Sequence, residues 1–259
     1  MIEKMKKAFS LLDLEYCPVA VKFRFDRPKD VPRTDETLSF CQFLKKAQTE
    51  KRRFYTTQED DNCCGKLPLG MVPREGFPVS GIVGVDFEVF RSPAPNVRVH
   101  NSYPVLNPGT VRYVEFCPVE LCDFYPDLVL FTADVYHAEI LMRASSYISG
   151  DLWESKTSSI MSCAWTYVYP YMSGKINFCI TGMHHGMRRR KVYPAGLHII
   201  SIPYQKLDEV VTALLEMPKD TIAMRDDESS RKELQSRMDH WKEIELAEAS
   251  SSSRKTAGE

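Results

Sequence analysis

The sequence predicts an α+β fold, in which a mixed sheet, or two sheets, is flanked by helices. Short segments rich in β-branched and aromatic residues recur along the chain, and amphipathic segments of helical period lie between some of them. One continuous apolar run, "PDLVLFTAD" (126–134), suits a central strand. The segments also suggest two loosely similar halves, each with strands beside a helix, although no repeat is strong enough to indicate duplication.

The first fifty residues predict a helix, a strand and a second helix. Residues 4–12 have a helical pattern, and "CPVAVKFRF" (17–25) alternates apolar and polar residues as a strand does. After a proline-rich loop, "DETLSFCQFLKKAQTEKR" (35–52) has a helical period. This pattern places Cys41 near the start of a helix, with its side chain directed inward.

The middle of the chain predicts strands on either side of a long irregular segment. "RFYTTQED" (53–60) predicts a strand that ends in three acidic residues, Glu59 to Asp61, which we interpret as a solvated turn. Residues 65–110 are rich in proline and glycine and have weak periodicity, so we expect irregular structure packed over a site or between the halves. "GTVRYVEFCPVE" (109–120) predicts the next strand.

The remaining segments predict three helices, two strands and a tail. They are a helix at 135–150 that ends at a glycine, a serine-capped helix from about Ser158 that is broken before Pro170, strands at 175–182 and 196–204, and a helix at 205–217. Beyond Pro218 the composition becomes highly charged. We therefore expect one domain over residues 1–220, and over residues 221–259 a charged accessory helix with a disordered tail.

Charge and hydropathy exclude several classes of function. The chain has 34 basic and 35 acidic residues, so its net charge of -1 gives no overall attraction to nucleic acid or to an anionic membrane. No segment approaches the roughly 20 apolar residues of a membrane span. We expect a cytoplasmic protein, in which ordinary cysteine pairs stay reduced. The eight cysteines then indicate metal binding, redox chemistry or simple core packing.

Four cysteine positions lie in settings typical of thiolate ligands: Cys41 and Cys163 at helix starts, the Cys63–Cys64 pair in a turn, and Cys179 in a strand that leads to a glycine. The chain has no C-x2-C spacing, so the pattern alone leaves ligands and inert buried thiols both open. Cys17 is assigned to the core. Cys117 and Cys122 have a C-x4-C spacing without the C-x2-C partner of a ferredoxin motif.

The segment "CITGMHHGMRRRK" (179–191) offers a second kind of site. Cys179 with His184 or His185 could bind zinc, because thiolate and imidazole are both zinc ligands. Arg188, Arg189 and Arg190 could bind the anionic group of a substrate, since guanidinium groups pair with planar oxyanions. An exposed, solvated loop is the alternative.

Ordered short motifs over residues 10–217 resemble the domain of unknown function 169 family, whose prokaryotic members are common in anaerobes and archaea. The motifs are "CPVAVKF", "FCQ", a cysteine–glycine turn ending in "LG", "VFRSP", "PDLVLFTADVYHAEILMRASSY", "SCAWTYVYPYMSGKINFCITG" and "ISIPYQKL". The family supplies no established reaction. The doubled turn cysteine, Cys117, Cys122, the basic loop and the charged tail depart from its pattern.

The resemblance implies that cysteines at the positions of Cys41, Cys63 or Cys64, Cys163 and Cys179 form one site. We therefore expect an iron–sulfur cluster of the [4Fe-4S] type that serves redox or Lewis-acid chemistry on a small anionic substrate. Its partner would be a small molecule or a redox protein, and a homo-oligomer is left open. A metal-free binding module with core cysteines and the zinc site are the alternatives.

Overall fold

The computed structural model describes residues 1–75 and 80–256 and contains one open, six-stranded sheet. Its strands are β1 (Tyr16–Arg24), β2 (Phe54–Thr56), β3 (Tyr113–Pro118), β4 (Leu128–Ala133), β5 (Asn177–Ile180) and β6 (His198–Pro203). The order across the sheet is β2-β3-β1-β4-β6-β5. Together with the helices below, this sheet confirms the predicted α+β class.

The expectation of a mixed sheet, or of two sheets, is wrong for the described residues. All six strands belong to one sheet, and each of its five neighbouring pairs is antiparallel. Side chains alternate with a period of two in parallel and in antiparallel strands alike, so the sequence pattern shows that a strand forms but not how its neighbour runs.

The first 216 residues form a compact unit that contains the sheet and eight helices within its described part. The helices are α1 (Ile2–Ser10), α2 (Phe40–Glu50), α3 (Val83–Asp86), α4 (Pro93–Ser102), α5 (Val135–Ser146), α6 (Tyr169–Ser173), α7 (His185–Arg189) and α8 (Tyr204–Glu216). A second unit, Met217–Glu259, contains a 3₁₀ turn (Ile222–Met224) and α9 (Glu228–Thr256). Helix α9 extends into the segment that the sequence predicted to be disordered.

The helix that contains Pro170 continues through the proline instead of ending before it. Residues 162–163 are helical, Ala164–Val168 form a π-helical turn, and α6 follows directly. A proline has no N–H to donate to the preceding turn, and it is tolerated at the first positions of a helical segment. The π turn places Pro170 at such a position in α6.

The segment 65–110 is more ordered than its proline and glycine content indicates. It contains α3 and α4, although residues 76–79 of this segment lie outside the described residues. Ser92 precedes α4, and Pro93 occupies its first turn. A serine followed by a proline is a start signal for a helix. The sequence therefore indicated the start of α4, although the weak hydrophobic periodicity of the segment did not indicate a helix.

The acidic residues after β2 are not a solvated turn, because two of the three are buried. The Asp60 carboxylate accepts hydrogen bonds from the Arg33 guanidinium, at 2.8 Å from Nη2, and from the Thr57 N–H at 2.8 Å. Asp61 is 3% exposed and accepts from backbone N–H groups that follow it. Buried carboxylates need such donors to offset the loss of water, so these two residues shape the chain where it leaves β2.

Strand β4 is buried on both faces of the sheet, as its continuous apolar run predicted. Leu128 and Leu130 pack into the hydrophobic core that includes α2. On the opposite face, Phe131 meets Phe9 of α1 edge to face, with 4.8 Å between the ring centroids. The sheet is therefore covered on both sides, and β4 is one of its two middle strands.

An aromatic cluster joins the sheet to the helices on the α2 side. Its members are Phe40, Phe43, Phe54, Phe116 and Tyr167. Phe116 of β3 contacts all four of the others, and its centroid lies 5.5 Å from that of Phe54. All five side chains are buried, so the cluster fixes α2 and the helical segment after residue 161 against the sheet.

No helix among the described residues combines the length and the apolar character that crossing a membrane requires.

We expect Phe116→Ala to lower the free energy of unfolding by about 3–5 kcal/mol, since it removes a fully buried ring and leaves a cavity. Urea unfolding followed by circular dichroism measures the change. Phe25→Ala is the control, because Phe25 is 52% exposed and contacts Arg112 by a cation–π interaction, which is worth about 1 kcal/mol or less. Equal losses in the two variants would contradict the role of the cluster.

Candidate functional site

A cavity of about 390 Å³ lies beside the aromatic cluster and is lined by four of the eight cysteines. They are Cys41, Cys63, Cys64 and Cys163. Three segments far apart in sequence supply them: the first turn of α2, the loop of residues 61–65 and the helical residues after Met161. Helices α3, α4 and α7 complete the wall.

The first turn of α2 is fixed by a capping box. Ser39 precedes the helix, and the Gln42 side chain accepts hydrogen bonds from the Ser39 N–H at 3.2 Å and from its hydroxyl at 2.9 Å. The capping box also includes the reciprocal bond, in which the Ser39 side chain accepts the Gln42 N–H, so backbone donors that a helix start leaves free are satisfied. These bonds hold Phe40 in the aromatic cluster and place Cys41 at the cavity, with its Sγ 3.5 Å from the Ser162 hydroxyl.

Asp61 shapes the loop that carries the cysteine pair. Its carboxylate accepts the N–H of Cys63 at 3.0 Å and the N–H of Lys66 at 2.9 Å. Both Cys63 and Cys64 line the cavity, and their sulfur atoms are 4.0 Å apart. The expectation that only one member of the pair faces the site therefore does not describe the structure.

Gly65 allows this loop to approach the other two segments. A Cβ atom at Gly65 would lie 2.5 Å from the Phe40 ring and 3.0 Å from Cys163 Sγ. These distances leave no room for a side chain. The glycine that follows the cysteine pair is thus required by close packing against α2 and Cys163.

The segment that carries Cys163 is positioned by Tyr167 and Met161. The buried Tyr167 hydroxyl donates to the Phe40 carbonyl at 3.1 Å, which ties this helical segment to the start of α2. Met161 has a left-handed backbone, with φ of 61°, and its sulfur is 3.6 Å from Cys64 Sγ. A left-handed non-glycine residue is unfavourable and is concentrated at functional sites.

The four thiols form two interacting pairs, Cys63 with Cys64 and Cys41 with Cys163. In each pair the pKa of the first thiol is lowered and that of the second is raised. A hydrogen bond from Cys64 lowers the pKa of Cys63 to about 6 against the effect of burial, with further help from the Cys64 N–H and the Arg190 charge. A hydrogen bond from Cys163 likewise lowers the pKa of Cys41, while the pKa values of Cys64 and Cys163 are raised by their partners and by burial. Each pair can therefore hold one thiolate.

Basic and aromatic side chains of α7 and its neighbourhood line another part of the cavity. Arg189 and Arg190 line it, and Arg190 Nη2 donates to the Asn62 carbonyl at 3.4 Å. The His185 ring stacks on Phe87 at 5.6 Å between centroids. No aspartate or glutamate is among the cavity residues that the structure describes, so the charge there favours an anionic occupant.

His184 is buried and uncharged at neutral pH. It is 1% exposed, and burial lowers its pKa to about 4. Its Nε2 lies 2.9 Å from the Thr157 hydroxyl, while Nδ1 has no partner. His184 contributes polarity to the cavity without charge.

Cys179 and Arg188 are predicted site residues that do not line this cavity. Cys179 is 2% exposed on β5 and packs in a second cluster with Tyr103, Met161 and Trp165. Burial raises the pKa of Cys179 to about 11, as expected for a core thiol. Arg188 is exposed on α7.

The remaining three cysteines are buried away from the cavity. The thiol of Cys17 donates to the Gln48 carbonyl at 3.3 Å, in agreement with its assignment to the core. Cys117 and Cys122 are fully buried, and their thiols interact with each other. All eight cysteines are unpaired by disulfides.

The sequence alone did not identify Asn96 and His100 as site residues. Both are buried on α4, four residues apart on one face of the helix, and both line the cavity. His100 Nδ1 lies 3.3 Å from the Tyr103 hydroxyl. The Ser-Pro start of α4 and the i, i+4 spacing were the available signals.

Within the described part of the chain, no three histidine, cysteine, aspartate or glutamate side chains are grouped closely enough to hold a metal ion. The four cavity thiols are instead arranged as two pairs. A cofactor with several attachment points, bound between the pairs, could take thiolates from both.

Comparisons with known proteins agree with the motif resemblance. The profile of the domain of unknown function 169 family, described as "Uncharacterised ArCR", matches residues 9–213. A protein of Methanocaldococcus jannaschii that is named only as uncharacterized is 23% identical over 217 residues, or 82% of this chain and 92% of that protein. No solved structure matches the chain. The matched residues include all four cavity cysteines.

We expect iodoacetamide to alkylate Cys63 of the chelator-treated protein with a midpoint near pH 6. A thiolate whose pKa is lowered persists above that pKa, so the reaction continues at pH 7 and is lost as the pH falls through the midpoint. Arg190→Gln should move the midpoint upward. Mass spectrometry of peptides measures the reaction, and a midpoint near that of free cysteine, about 8.5, would contradict the assignment.

Proposed function

This chain belongs to the domain of unknown function 169 family, and from that premise we propose that it holds an iron–sulfur cluster beside a site for a small anionic molecule. The thiolates of Cys41, Cys63, Cys64 and Cys163 would supply the ligands. The observation that carries the proposal is that three distant segments bring these four thiols to one cavity. Core packing alone does not require this convergence.

The chemistry of the cavity suits such a cofactor. Thiolates are soft ligands that select iron–sulfur clusters, zinc and copper(I) over hard cations. Two of the thiols have lowered pKa values, and the nearby charge of Arg190 favours the thiolate form. A cluster held by thiolates is anionic, and Arg189 and Arg190, which line the cavity, would compensate that charge.

The described geometry supports the cysteine site over the zinc alternative. The zinc proposal pairs Cys179 with His184 or His185, yet both histidines line the cavity and Cys179 does not. His184 Nε2 already has a partner in the Thr157 hydroxyl. Its free Nδ1 is therefore the only atom of that histidine left for another interaction.

The exposure of the cysteines also argues against a metal-free module whose thiols only fill the core. Cys17, Cys117, Cys122 and Cys179 are 9% exposed or less and do not line the cavity. Cys41, Cys63 and Cys64 are only partly buried and line it, and Cys163 lines it although it is 8% exposed. Buried apolar thiols do not need such access, but ligands to a cofactor do.

When bound, an iron–sulfur cluster supplies one-electron transfer, or Lewis acidity where one iron lacks a protein ligand. The residues of the chain bind and orient the other reactant, which is a small molecule or a redox partner protein. Arg189 and Arg190 would attract an anionic group toward the thiols. The Phe87 and His185 rings, which stack on each other, form part of the cavity wall.

We expect anaerobically purified protein, produced in a host with cluster-assembly enzymes, to be brown and to contain iron and acid-labile sulfide. Cys41→Ser and Cys163→Ser should each lower the iron content, because each removes a ligand. Cys17→Ser is the matched control, since its hydroxyl can keep the bond to the Gln48 carbonyl. Colourless, iron-free wild-type protein would overturn the proposal, as would an equal loss in the control.

A second test changes the geometry and keeps every thiol. Gly65→Ala should lower the iron content, because its Cβ would meet the Phe40 ring and Cys163 Sγ and push the cysteine loop away. Gly186→Ala is the control: it also lies at the cavity, and its Cβ would be at an ordinary 3.5 Å from Arg190. Full iron content in Gly65→Ala would show that the three segments need not meet.

A further inference from the structure

We propose that the cavity recognises a planar molecule through a lactam or carboxamide edge, and that Asn96 is the residue that binds this edge. The inference rests on the proposed function only in treating this cavity as the substrate site. It does not require that the thiols hold a cluster. It adds a class of substrate to the anionic group already assigned to Arg189 and Arg190.

Among the residues that the structure describes, no group satisfies the amide of Asn96. The residue is fully buried on α4, it lines the cavity, and neither Nδ2 nor Oδ1 has a hydrogen-bond partner. Buried side-chain amides are almost always hydrogen-bonded, because an unpaired donor or acceptor has lost its water without replacement. An amide with both ends unpaired beside a cavity indicates an occupant that supplies both partners.

The position of this amide is set by close packing. A Cβ at Gly84 of α3 would lie 2.8 Å from both Cγ and Nδ2 of Asn96, so the amide is in contact with the Gly84 backbone. The Phe90 ring is equally close to the same point, at 2.7 Å. The amide thus packs against the Gly84 backbone at a point that leaves no room for a side chain on residue 84.

His184 provides a second unpaired polar atom at the cavity. Its Nδ1 is buried and has no partner, while its Nε2 is engaged by Thr157. Because the imidazole is neutral, it can form one hydrogen bond to an uncharged group without demanding a counter-ion. The polar groups on this side are uncharged, whereas the arginines carry charge.

The chemistry of Asn96 selects the class of ligand. An amide offers a donor and an acceptor side by side, so its complement is another such edge, as in a lactam ring or a primary carboxamide. A carboxylate has only acceptors and would leave Oδ1 unpaired. The Phe87 and His185 rings, stacked at 15°, favour a flat ligand.

The test measures binding of four small probes to the full chain by calorimetry and saturation-transfer NMR. Uracil offers a lactam edge, nicotinamide a carboxamide, benzoate a carboxylate alone and toluene no polar group. We expect uracil or nicotinamide to bind at least about tenfold more tightly than toluene, since a buried amide discriminates against ligands that cannot pair with it. Benzoate can bind through Arg189 and Arg190, so its binding should not depend on Asn96. Equal binding of all four probes would overturn the proposal.

Asn96→Leu separates recognition from structure. The substitution should weaken binding of the preferred probe by about tenfold or more and leave toluene binding intact. It should also raise the melting temperature, because it replaces unpaired polar atoms with an apolar group of similar volume. A purely structural asparagine would instead make the variant less stable and leave the order of the probes unchanged. Asn101→Leu, on the exposed side of α4, is the control and should bind like the wild type.

Gly84→Ala supplies an independent variant, because its Cβ would displace the Asn96 amide without altering it. It should lose the preference for uracil or nicotinamide, and an unchanged preference would contradict the proposal. Iron content distinguishes the two proposals. Asn96→Leu should lose the preference for uracil or nicotinamide while its iron content stays at the wild-type level. Wild-type protein that contains no iron but keeps this preference would overturn only the proposal of an iron–sulfur cluster.

Discussion

The packing of Phe40 in the aromatic cluster is the constraint on which the site depends. Its ring lies 5.9 Å from those of Phe43 and Tyr167, and its carbonyl accepts the Tyr167 hydroxyl. Cys41 follows Phe40 directly, and Tyr167 lies one helical turn beyond Cys163. Gly65 packs against the Phe40 ring so closely that a Cβ there would meet it. The single buried side chain of Phe40 therefore positions all three thiol-bearing segments. The convergence of the cysteines is thus a consequence of how the core packs against the sheet.

The surroundings of the cavity contain several features that cost stability. Asn96 is buried with an unpaired amide, Met161 has a left-handed backbone, and Asp61 is a buried carboxylate whose pKa is raised by burial against the bonds from Lys66 and Cys63. A core selected for stability alone would avoid the first two. Natural sequences keep such departures where function needs them, and here they lie together beside the thiols.

The cavity wall combines groups of different chemistry. It contains soft sulfur atoms, positive guanidinium groups, the neutral imidazole of His184 and the amide of Asn96. A site of this kind can bind a molecule by its anionic end and its uncharged edge at once, which fixes orientation better than either contact alone. All residues that line the cavity lie within the family-matched residues 9–213, whereas the second compact unit, with α9, lies outside them.

The sequence by itself determined the α+β class, the central position of β4, the family and the three thiol-bearing segments of the cavity wall, because periodicity and local motifs depend on neighbouring residues. The family resemblance also grouped Cys41, Cys63, Cys64, Cys163 and Cys179 as one site, and the first four of these line the cavity. Only the tertiary structure decided that the sheet is antiparallel, that Cys179 does not line the cavity, and that Asn96 does. These are contacts between residues far apart in sequence, and no local pattern encodes which buried side chains meet when helices pack on a sheet.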